Sequence, residues 1–153
     1  MPSTYERILF SMRLNLDCVR DILLCAEKNT GLYKSCYFVD FGPPGHEDFI
    51  DDDIIVPPYQ LDLSKKYSNE ELIYHVQYCI DSGLLADSDY ITNETIQVED
   101  LTPSGHEFLA NIRSDSVWNK TKSAAAKIGV SSIPAVLELA SKIVMTLVGA
   151  YTP

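Results

Sequence analysis

The clearest structural signal in the chain lies in residues 68–98, which read SNEELIYHVQYCIDSGLLADSDYITNETIQV. Ser68 and Glu71 match the S-x-x-E capping box, in which each side chain satisfies the free backbone N–H of the other residue. A helix is therefore predicted from about 69 to 82, and Gly83 fits the left-handed position that ends it. The apolar residues of this helix recur with a helical period and predict a buried stripe of Leu72, Ile73, Val76, Cys79 and Ile80.

A β-hairpin is predicted directly behind this helix. Residues 84–86 and 90–92 flank a turn at 87–89, and residues 95–98 alternate apolar and polar side chains. Such alternation is typical of a strand with one buried face. The pattern therefore indicates a helix followed by a two-stranded wing.

Helical and strand patterns also precede this stretch. An amphipathic helix is predicted over about 15–28 and a strand over 36–41, with a second short strand at 54–56 that Pro57 and Pro58 stop. The order of helix, short strands, helix, hairpin and helix is that of a winged-helix domain. We therefore expect an α+β, mostly helical fold with a winged-helix-like core and a C-terminal apolar helix.

One more helical region is predicted between the hairpin and the C-terminal helix. Thr102 is a favourable cap and Pro103 suits the first helical position, where its missing N–H costs nothing. The pattern continues or restarts at Ser114, and Gly129 ends it. Trp118 is expected in the core of this region.

The segment over about 133–150 is the most apolar in the chain. Glu138 and Lys142 are its only charges, and each costs ~2.5–3.5 kcal/mol inside a membrane. The apolar stripe is wider than one small domain usually buries, so we expect a homo-oligomer contact. Packing on the chain's own domain is the second interpretation, and a membrane anchor is the third. The candidate oligomer contacts are Ile143, Val144 and Leu147.

Length and charge narrow the class of protein. The chain has 153 residues, the size of one ordinary domain, and a net charge of −10. Residues 41–101 hold fourteen acidic residues and only two lysines, a net of −12.

The four cysteines form no C-x-x-C pair, which argues against a zinc ribbon and a thioredoxin-type site. No secretory signal pattern opens the sequence, so we expect reduced thiols and a cytoplasmic location.

Six segments carry a family resemblance: LTPSGHEFLANIR (101–113), VWNKTK (117–122), MRLNLD (12–17), VRDILL (19–24), YHV (74–76) and SGLL (82–85). Over about 12–130 they resemble the family labelled domain of unknown function 2513, whose members are small proteins of bacteria, phages and prophages. The resemblance implies a winged-helix-like core and a mobile-element setting, and it implies no activity. The motif residues, for which a structural role is expected, are Gly105, His106, Glu107, Phe108, Leu109, Arg113 and Trp118.

The resemblance also sets the expected domain organisation. Residues 1–11 depart from the family pattern and are interpreted as an N-terminal extension. The long acidic segment 42–60 also departs from it and is interpreted as an insertion. The winged-helix-like domain is therefore expected over 12–130 and the C-terminal apolar helix over 131–153.

The predicted helix at 69–82 is a poor candidate for reading duplex DNA. In DNA-binding winged helices, the helix before the wing enters the major groove. Here that helix contains Glu70, Glu71 and Asp81 and no Lys or Arg. Neutralisation of phosphates supplies a large part of DNA affinity, so we expect no tight binding of duplex DNA through this helix.

No catalytic residue, metal site or cofactor is predicted. His106 and Glu107 are neighbours on a helix and point about 100° apart, and the His pair that zinc peptidases space at i and i+4 is absent. We expect His106 and His75 to hydrogen-bond inside the fold and Cys79 to pack as a small hydrophobe. The acidic loop at 46–53 lacks the spacing of a calcium-binding loop.

The expected function is binding without catalysis. We expect a phage or prophage type of protein, with no membrane partner, that presents negative charge to a basic protein surface and competes with a nucleic-acid-binding partner. One alternative is a dimeric winged-helix DNA-binding regulator that uses the basic residues of the helix at 113–127. The other is a small enzyme centred on His75 and His106. The expected contact surface consists of Glu47, Asp48, Asp51, Asp52, Asp53, Glu70, Asp87 and Asp89.

Overall fold

The computed structural model describes residues 13–45, 51–88, 94–130 and 132–150. The fold is α+β and mostly helical, which confirms the predicted fold class. The described residues form six helices and a three-stranded antiparallel sheet.

Two compact units make up the chain, residues 1–102 and residues 103–153. The two helices that follow residue 102 pack against the C-terminal helix and form one unit with it. The division into a winged-helix-like domain over 12–130 and a C-terminal helix over 131–153 stays a prediction.

The first unit combines three helices with the sheet. The elements are α1 (Leu16–Asn29), β1 (Cys36–Val39), α2 (Pro58–Ser64), α3 (Asn69–Asp81), β2 (Leu85–Asp87) and β3 (Thr95–Leu101). Strand β3 lies in the middle of the sheet and pairs antiparallel with both β1 and β2. Ala86 lies opposite Asp100, which confirms that the two strands after α3 pair with each other. Asp87, predicted in the turn, belongs to β2, and the predicted arm at 90–92 lies outside the described residues.

The Ser68 half of the predicted capping box and the predicted glycine end of α3 match the structure. Ser68 Oγ accepts a hydrogen bond from the backbone N–H of Glu71 at 3.2 Å. Gly83 adopts the left-handed conformation with a φ of 75°, and the N–H groups of Gly83 and Leu84 donate to carbonyls of the last turn. This double hydrogen bond is the Schellman arrangement that closes a helix at a glycine.

Two side chains of α2 cover the outer edge of β1. An edge strand leaves backbone N–H and C=O groups without strand partners. Gln60 Nε2 donates to the carbonyl of Val39, and Gln60 Oε1 accepts from the N–H of Val39, both at 2.7 Å. The Tyr59 hydroxyl donates to the carbonyl of Tyr37 at 2.8 Å and accepts from its N–H at 2.9 Å. These side chains therefore take the place of a fourth strand.

The segment before α2 differs from its prediction. Residues 54–56, predicted as a strand, form none, and Pro57 and Pro58 begin a helix instead of stopping an element. Proline is favoured at the first helical position because the N–H that it lacks would have no partner there. The proline pair therefore marks the start of α2.

Apolar side chains of α1, α3 and the sheet form the core of the first unit. Cys79 is fully buried among them, as predicted from its place on the apolar stripe. The largest contributors, each 2% exposed or less, are Val19, Ile22, Leu23, Phe38, Val39, Leu72, Val76, Leu85 and Val98.

The second unit is a bundle of three helices: α4 (Pro103–Ile112), α5 (Asp115–Ile128) and α6 (Ile133–Gly149). Ser114 Oγ accepts from the N–H of Val117 at 3.4 Å, and Gly129 ends α5 with a φ of 78°. The predicted restart and end of this helical region are therefore confirmed. The buried residues are Gly105, Phe108, Leu109, Ile112, Val117, Trp118, Thr121, Ala125, Ile133, Val136 and Ala140.

None of the described helices combines the length and the apolar composition that crossing a membrane requires.

The covered edge of β1 leads to a stability prediction. The change Gln60→Leu keeps the side-chain volume but leaves the buried N–H and C=O of Val39 without partners, at a cost of about 1–3 kcal/mol for each group. We therefore expect the free energy of unfolding, measured by urea titration with far-UV circular dichroism, to fall by about 3 kcal/mol. The same change at the exposed Gln77 is the matched control and should alter it by less than about 0.5 kcal/mol. Equal effects of the two changes would contradict the role given to Gln60.

Candidate functional site

The acidic surface expected from the sequence is exposed where the structure describes it. The N–H of Asp53 donates to Asp51 Oδ1 at 3.1 Å, which holds the described end of the acidic loop in a tight turn. The exposed members are Asp51, Asp52, Asp53, Glu70 and Asp87. The members that lie outside the described residues are Glu47, Asp48 and Asp89.

One side of α3 faces away from the core of its unit and combines aromatic rings with carboxylates. The tyrosines are half-buried, with ring centroids 6.1 Å apart, and the other residues are exposed. Gln77 Nε2 donates to Asp81 Oδ1 at 3.0 Å and orients that carboxylate. We call this surface the α3 face, and it consists of Glu70, Tyr74, Gln77, Tyr78 and Asp81.

The opposite side of α3 is joined to α1 through His75. The N–H of Asn15 donates to His75 Nε2 at 2.7 Å, so this nitrogen is unprotonated and Nδ1 carries the proton. His75 Nδ1 donates to the carbonyl of Glu71 at 2.7 Å. Asn15 Nδ2 donates to Glu71 Oε1 at 2.7 Å, and Asn15 Oδ1 accepts from the N–H of Cys18 as the N-cap of α1. The Glu71 carboxylate of the predicted capping box is thus engaged with α1.

Further side-chain hydrogen bonds hold both ends of α3. Asn69 Oδ1 accepts from the N–H of Phe41 at 3.0 Å, and Asn69 Nδ2 donates to Asp40 Oδ1 at 3.1 Å. At the other end, the hydroxyl of Thr102 donates to the carbonyl of Gly83. Since α3 is held at its start, its middle and its end, the α3 face lies on a rigid support.

The surroundings of the α3 face are strongly negative. Helix α3 and strands β2 and β3 contain no Lys or Arg. Residues 1–102 hold nineteen acidic and seven basic residues, a net of −12, whereas residues 103–153 hold three acidic and five basic ones, a net of +2. Lys65 lies 3.2 Å from Asp62 and Lys66 lies 3.4 Å from Asp21, so nearby carboxylates offset the charge of these two lysines.

The two histidines considered for chemistry lie in different units and in different environments. His75 is 1% exposed and both of its ring nitrogens are hydrogen-bonded, which confirms the predicted structural role. His106 and Glu107 are exposed on α4, so the prediction that His106 lies inside the fold is wrong. The buried positions of α4 begin at Gly105 and Phe108, and the helical period turns the two residues between them outward.

The other motif residues are divided between the core and the surface of the second unit. Trp118 is 2% exposed, and Lys122 Nζ lies 5.7 Å from the centroid of its ring. The buried motif residues are therefore Gly105, Phe108, Leu109 and Trp118, and Arg113 is exposed.

Cys18, Cys25, Cys36 and Cys79 are free cysteines, with no disulfide between them. Burial raises the pKa of Cys36 and Cys79 to about 12 and that of Cys25 to about 11. Burial, and then the nearby Glu71 carboxylate, also raises the pKa of Cys18. A thiol with such a pKa is not a nucleophile at neutral pH. Within the described ranges, no group of three His, Cys, Asp or Glu side chains is arranged to hold a metal ion.

Sequence reasoning misses several residues that position the site. Asn15 is the first residue of the helix predicted over 15–28, whereas the structure makes it the N-cap of α1. It belongs to a residue type favoured at N-caps, so a local signal for this role exists. Asn69, Tyr59 and Gln60 act through backbone groups 21 to 28 positions away. Contacts at that sequence distance leave no periodic pattern.

The junction at His75 gives a matched pair of variants. His75→Leu leaves the N–H of Asn15 without its acceptor, and we expect the free energy of unfolding to fall by about 2 kcal/mol in a urea titration. The same change at the exposed His106 should alter it by less than about 0.5 kcal/mol. A larger effect at His106 than at His75 would contradict this assignment.

The raised pKa of Cys25 leads to a prediction for alkylation. In the native protein we expect iodoacetamide to label only Cys25, with a rate that rises roughly tenfold per pH unit between about pH 7 and 10, as the thiolate fraction grows. Intact mass measurement counts the added groups, Cys25→Ser should abolish the native reaction, and urea should expose all four thiols. Rapid labelling of Cys18, Cys36 or Cys79 at neutral pH would contradict the burial of that thiol.

Comparison with known proteins gives a family and no further relative. No curated protein and no solved structure is significantly similar to the chain. The family model described as Hypothetical protein (DUF2513) matches residues 13–131. This range includes α3, the residues that hydrogen-bond to its two ends and its middle, and the motif around His106. The resemblance found in the sequence is thus confirmed, and the chain belongs to the DUF2513 family of hypothetical proteins.

Proposed function

We propose that the protein is a winged-helix protein that binds a basic surface of another protein and performs no catalysis. The order α1, β1, α2, α3, β2, β3 and the central position of β3 support the winged-helix assignment. In that architecture, α3 is the helix that precedes the wing and that enters the major groove in DNA-binding members.

The observation that carries this proposal is the charge of α3. Glu70 and Asp81 are exposed on the α3 face, and the helix contains no Lys or Arg. Phosphates would be repelled at the position where a DNA-binding winged helix attracts them. A basic protein surface would be attracted and oriented by the same field.

The tyrosines supply the contact area that carboxylates alone lack. Exposed ion pairs contribute only about 0–1 kcal/mol each, so charge alone gives weak binding. Tyr74 and Tyr78 offer adjacent rings against which the stem of an Arg or Lys can pack, with a cation–π contribution. Tyrosine and arginine are enriched among the residues that dominate binding energies at protein interfaces. Glu70 and Asp81 would then bind the charged groups at the rim.

Competition with nucleic acid follows from the same chemistry. The basic surface that the α3 face would bind is the kind of surface with which nucleic-acid-binding proteins contact phosphates. By occupying that surface, an acidic phage-type or prophage-type protein would block the access of DNA or RNA. We propose this as the biological form of the activity.

A DNA-binding regulator is the second candidate, and one observation favours it. Arg113, Lys120 and Lys127 are exposed along and beside α5, in the unit with positive net charge. It ranks below the first candidate because that charge is only +2 and because the aromatic residue of α5, Trp118, is buried and offers no stacking platform for bases.

Two labelled probes test the proposal, an oligo-arginine peptide and a random-sequence DNA duplex, each followed by fluorescence anisotropy at physiological salt. The test variant carries Glu70→Lys and Asp81→Lys. The matched control carries Glu107→Lys and Asp115→Lys, two exposed acidic residues of the second unit. We expect peptide binding to weaken about tenfold in the test variant, because the two carboxylates of the α3 face are lost, and clearly less in the control. The net charge changes equally in both variants, so a difference between them reports the α3 face itself.

The duplex distinguishes the two candidates. We expect no binding of duplex tighter than about micromolar at physiological salt. Sub-micromolar duplex binding that weakens steeply with salt would overturn the first candidate and support the second. Equal weakening of peptide binding in both variants would show that net charge acts without the α3 face.

A further inference from the structure

Helix α6 carries an apolar stripe whose cover ends partway along the helix. The first part of the stripe is closed, since Ile133 is 3% exposed and Val136 and Ala140 are fully buried. Three and four residues after Ala140, on the same side of the helix, Ile143 and Val144 are only half-buried. The exposed apolar surface therefore increases towards the C-terminal end of α6.

The last two turns of α6 extend this surface. Leu147 continues the stripe and is half-buried, and Val148 at the margin of the stripe is 53% exposed. Contiguous apolar surface on the outside of a small protein marks a site of association. We propose that a second copy of the chain packs on this part of α6, with Ile143, Val144, Leu147 and Val148 at the contact.

The distribution of charge is the reason for choosing a second copy as the occupant. Two copies approaching through residues 1–102 would bring together two surfaces of net charge −12, whereas residues 103–153 carry only +2. The two charges of α6, Glu138 and Lys142, lie 3.2 Å apart, are exposed and neutralise one another. Two copies that meet through the α6 stripe thus bring no unpaired charge of α6 against one another.

The lack of net charge on the stripe also argues that the basic protein proposed as the partner of the α3 face does not bind to α6. A basic protein surface finds no carboxylate on the stripe to bind, since Glu138 is already paired. An identical stripe is complementary in character by symmetry, and twofold pairing is the commonest closed arrangement of identical chains. The proposal is independent of the function proposed for the α3 face, and a dimer would simply carry two such faces.

Sedimentation equilibrium of the full chain tests the contact. We expect the native protein to show twice its chain mass of 17.1 kDa at about 100 μM, a concentration at which dimers with micromolar dissociation constants are populated. Leu147→Glu should shift the mass to that of one chain. Thr146→Glu is the matched control, since it adds the same charge at an exposed neighbouring position outside the stripe and should leave the dimer intact.

A second variant separates dissociation from unfolding. Val148→Lys changes a side chain that is already 53% exposed, so it should weaken the dimer at least tenfold while far-UV circular dichroism remains that of the native protein. A native protein that is monomeric at this concentration would overturn the proposal, whatever else covers α6. An intact dimer in the Val148→Lys and Leu147→Glu variants, or equal dissociation by Thr146→Glu, would also overturn it.

Discussion

The hydrogen bonds between Asn15 and the pair formed by His75 and Glu71 determine how α3 is presented. One backbone N–H, one side-chain amide and one imidazole join the start of α1 to the middle of α3 inside the first unit. Their value lies in mutual satisfaction, since a buried polar group without a partner costs more than a bonded one contributes. No buried side-chain nitrogen or oxygen in the described residues lacks a partner. Because His75 must face α1, the helical period turns Glu70, Tyr74 and Asp81 outward.

The need to give every buried polar group a hydrogen-bond partner also bears on the acidic segment 42–60, whose last residues begin α2. An uncovered β1 would expose backbone groups that pair with other chains. Gln60 and Tyr59 satisfy those groups with side chains, so the sheet needs no fourth strand. The segment interpreted as an insertion therefore has two roles. Its end closes the sheet, and its exposed residues Asp51 to Asp53 add negative charge without disturbing the core.

Apolar periodicity and helix-end signals in neighbouring residues predicted most helices and strands. They did not predict the polar contacts between residues that are distant in the sequence. The apolar periods of α1, α3 and α6 and the end signals of α3 lie in neighbouring residues, so these helices are predicted within one or two positions of the observed ends. Pro57 and Pro58 were interpreted as a stop because two prolines interrupt strands, although the second one also suits a helix start. His106 and His75 look alike in sequence, and only the three-dimensional contacts distinguish the exposed one from the buried one. The candidate acidic surface was predictable because it depends on composition. The tyrosine pair of the α3 face was not, because its exposure depends on which side of α3 packs against α1 through His75.

The separation of charge between the two units bears on the two kinds of partner that we propose for this chain. A unit of net charge −12 repels its own copies and would attract a basic protein, so electrostatics disfavours self-association through the first unit. The apolar stripe of α6 has no such discrimination, and it is compatible with solubility only if most of it is covered. The stripe lies in the unit with a net charge of only +2, so in the proposed dimer the association of copies would not have to overcome strong repulsion between the second units. In the two proposals, charge disfavours self-association at the first unit, and burial of apolar surface would drive the association at α6.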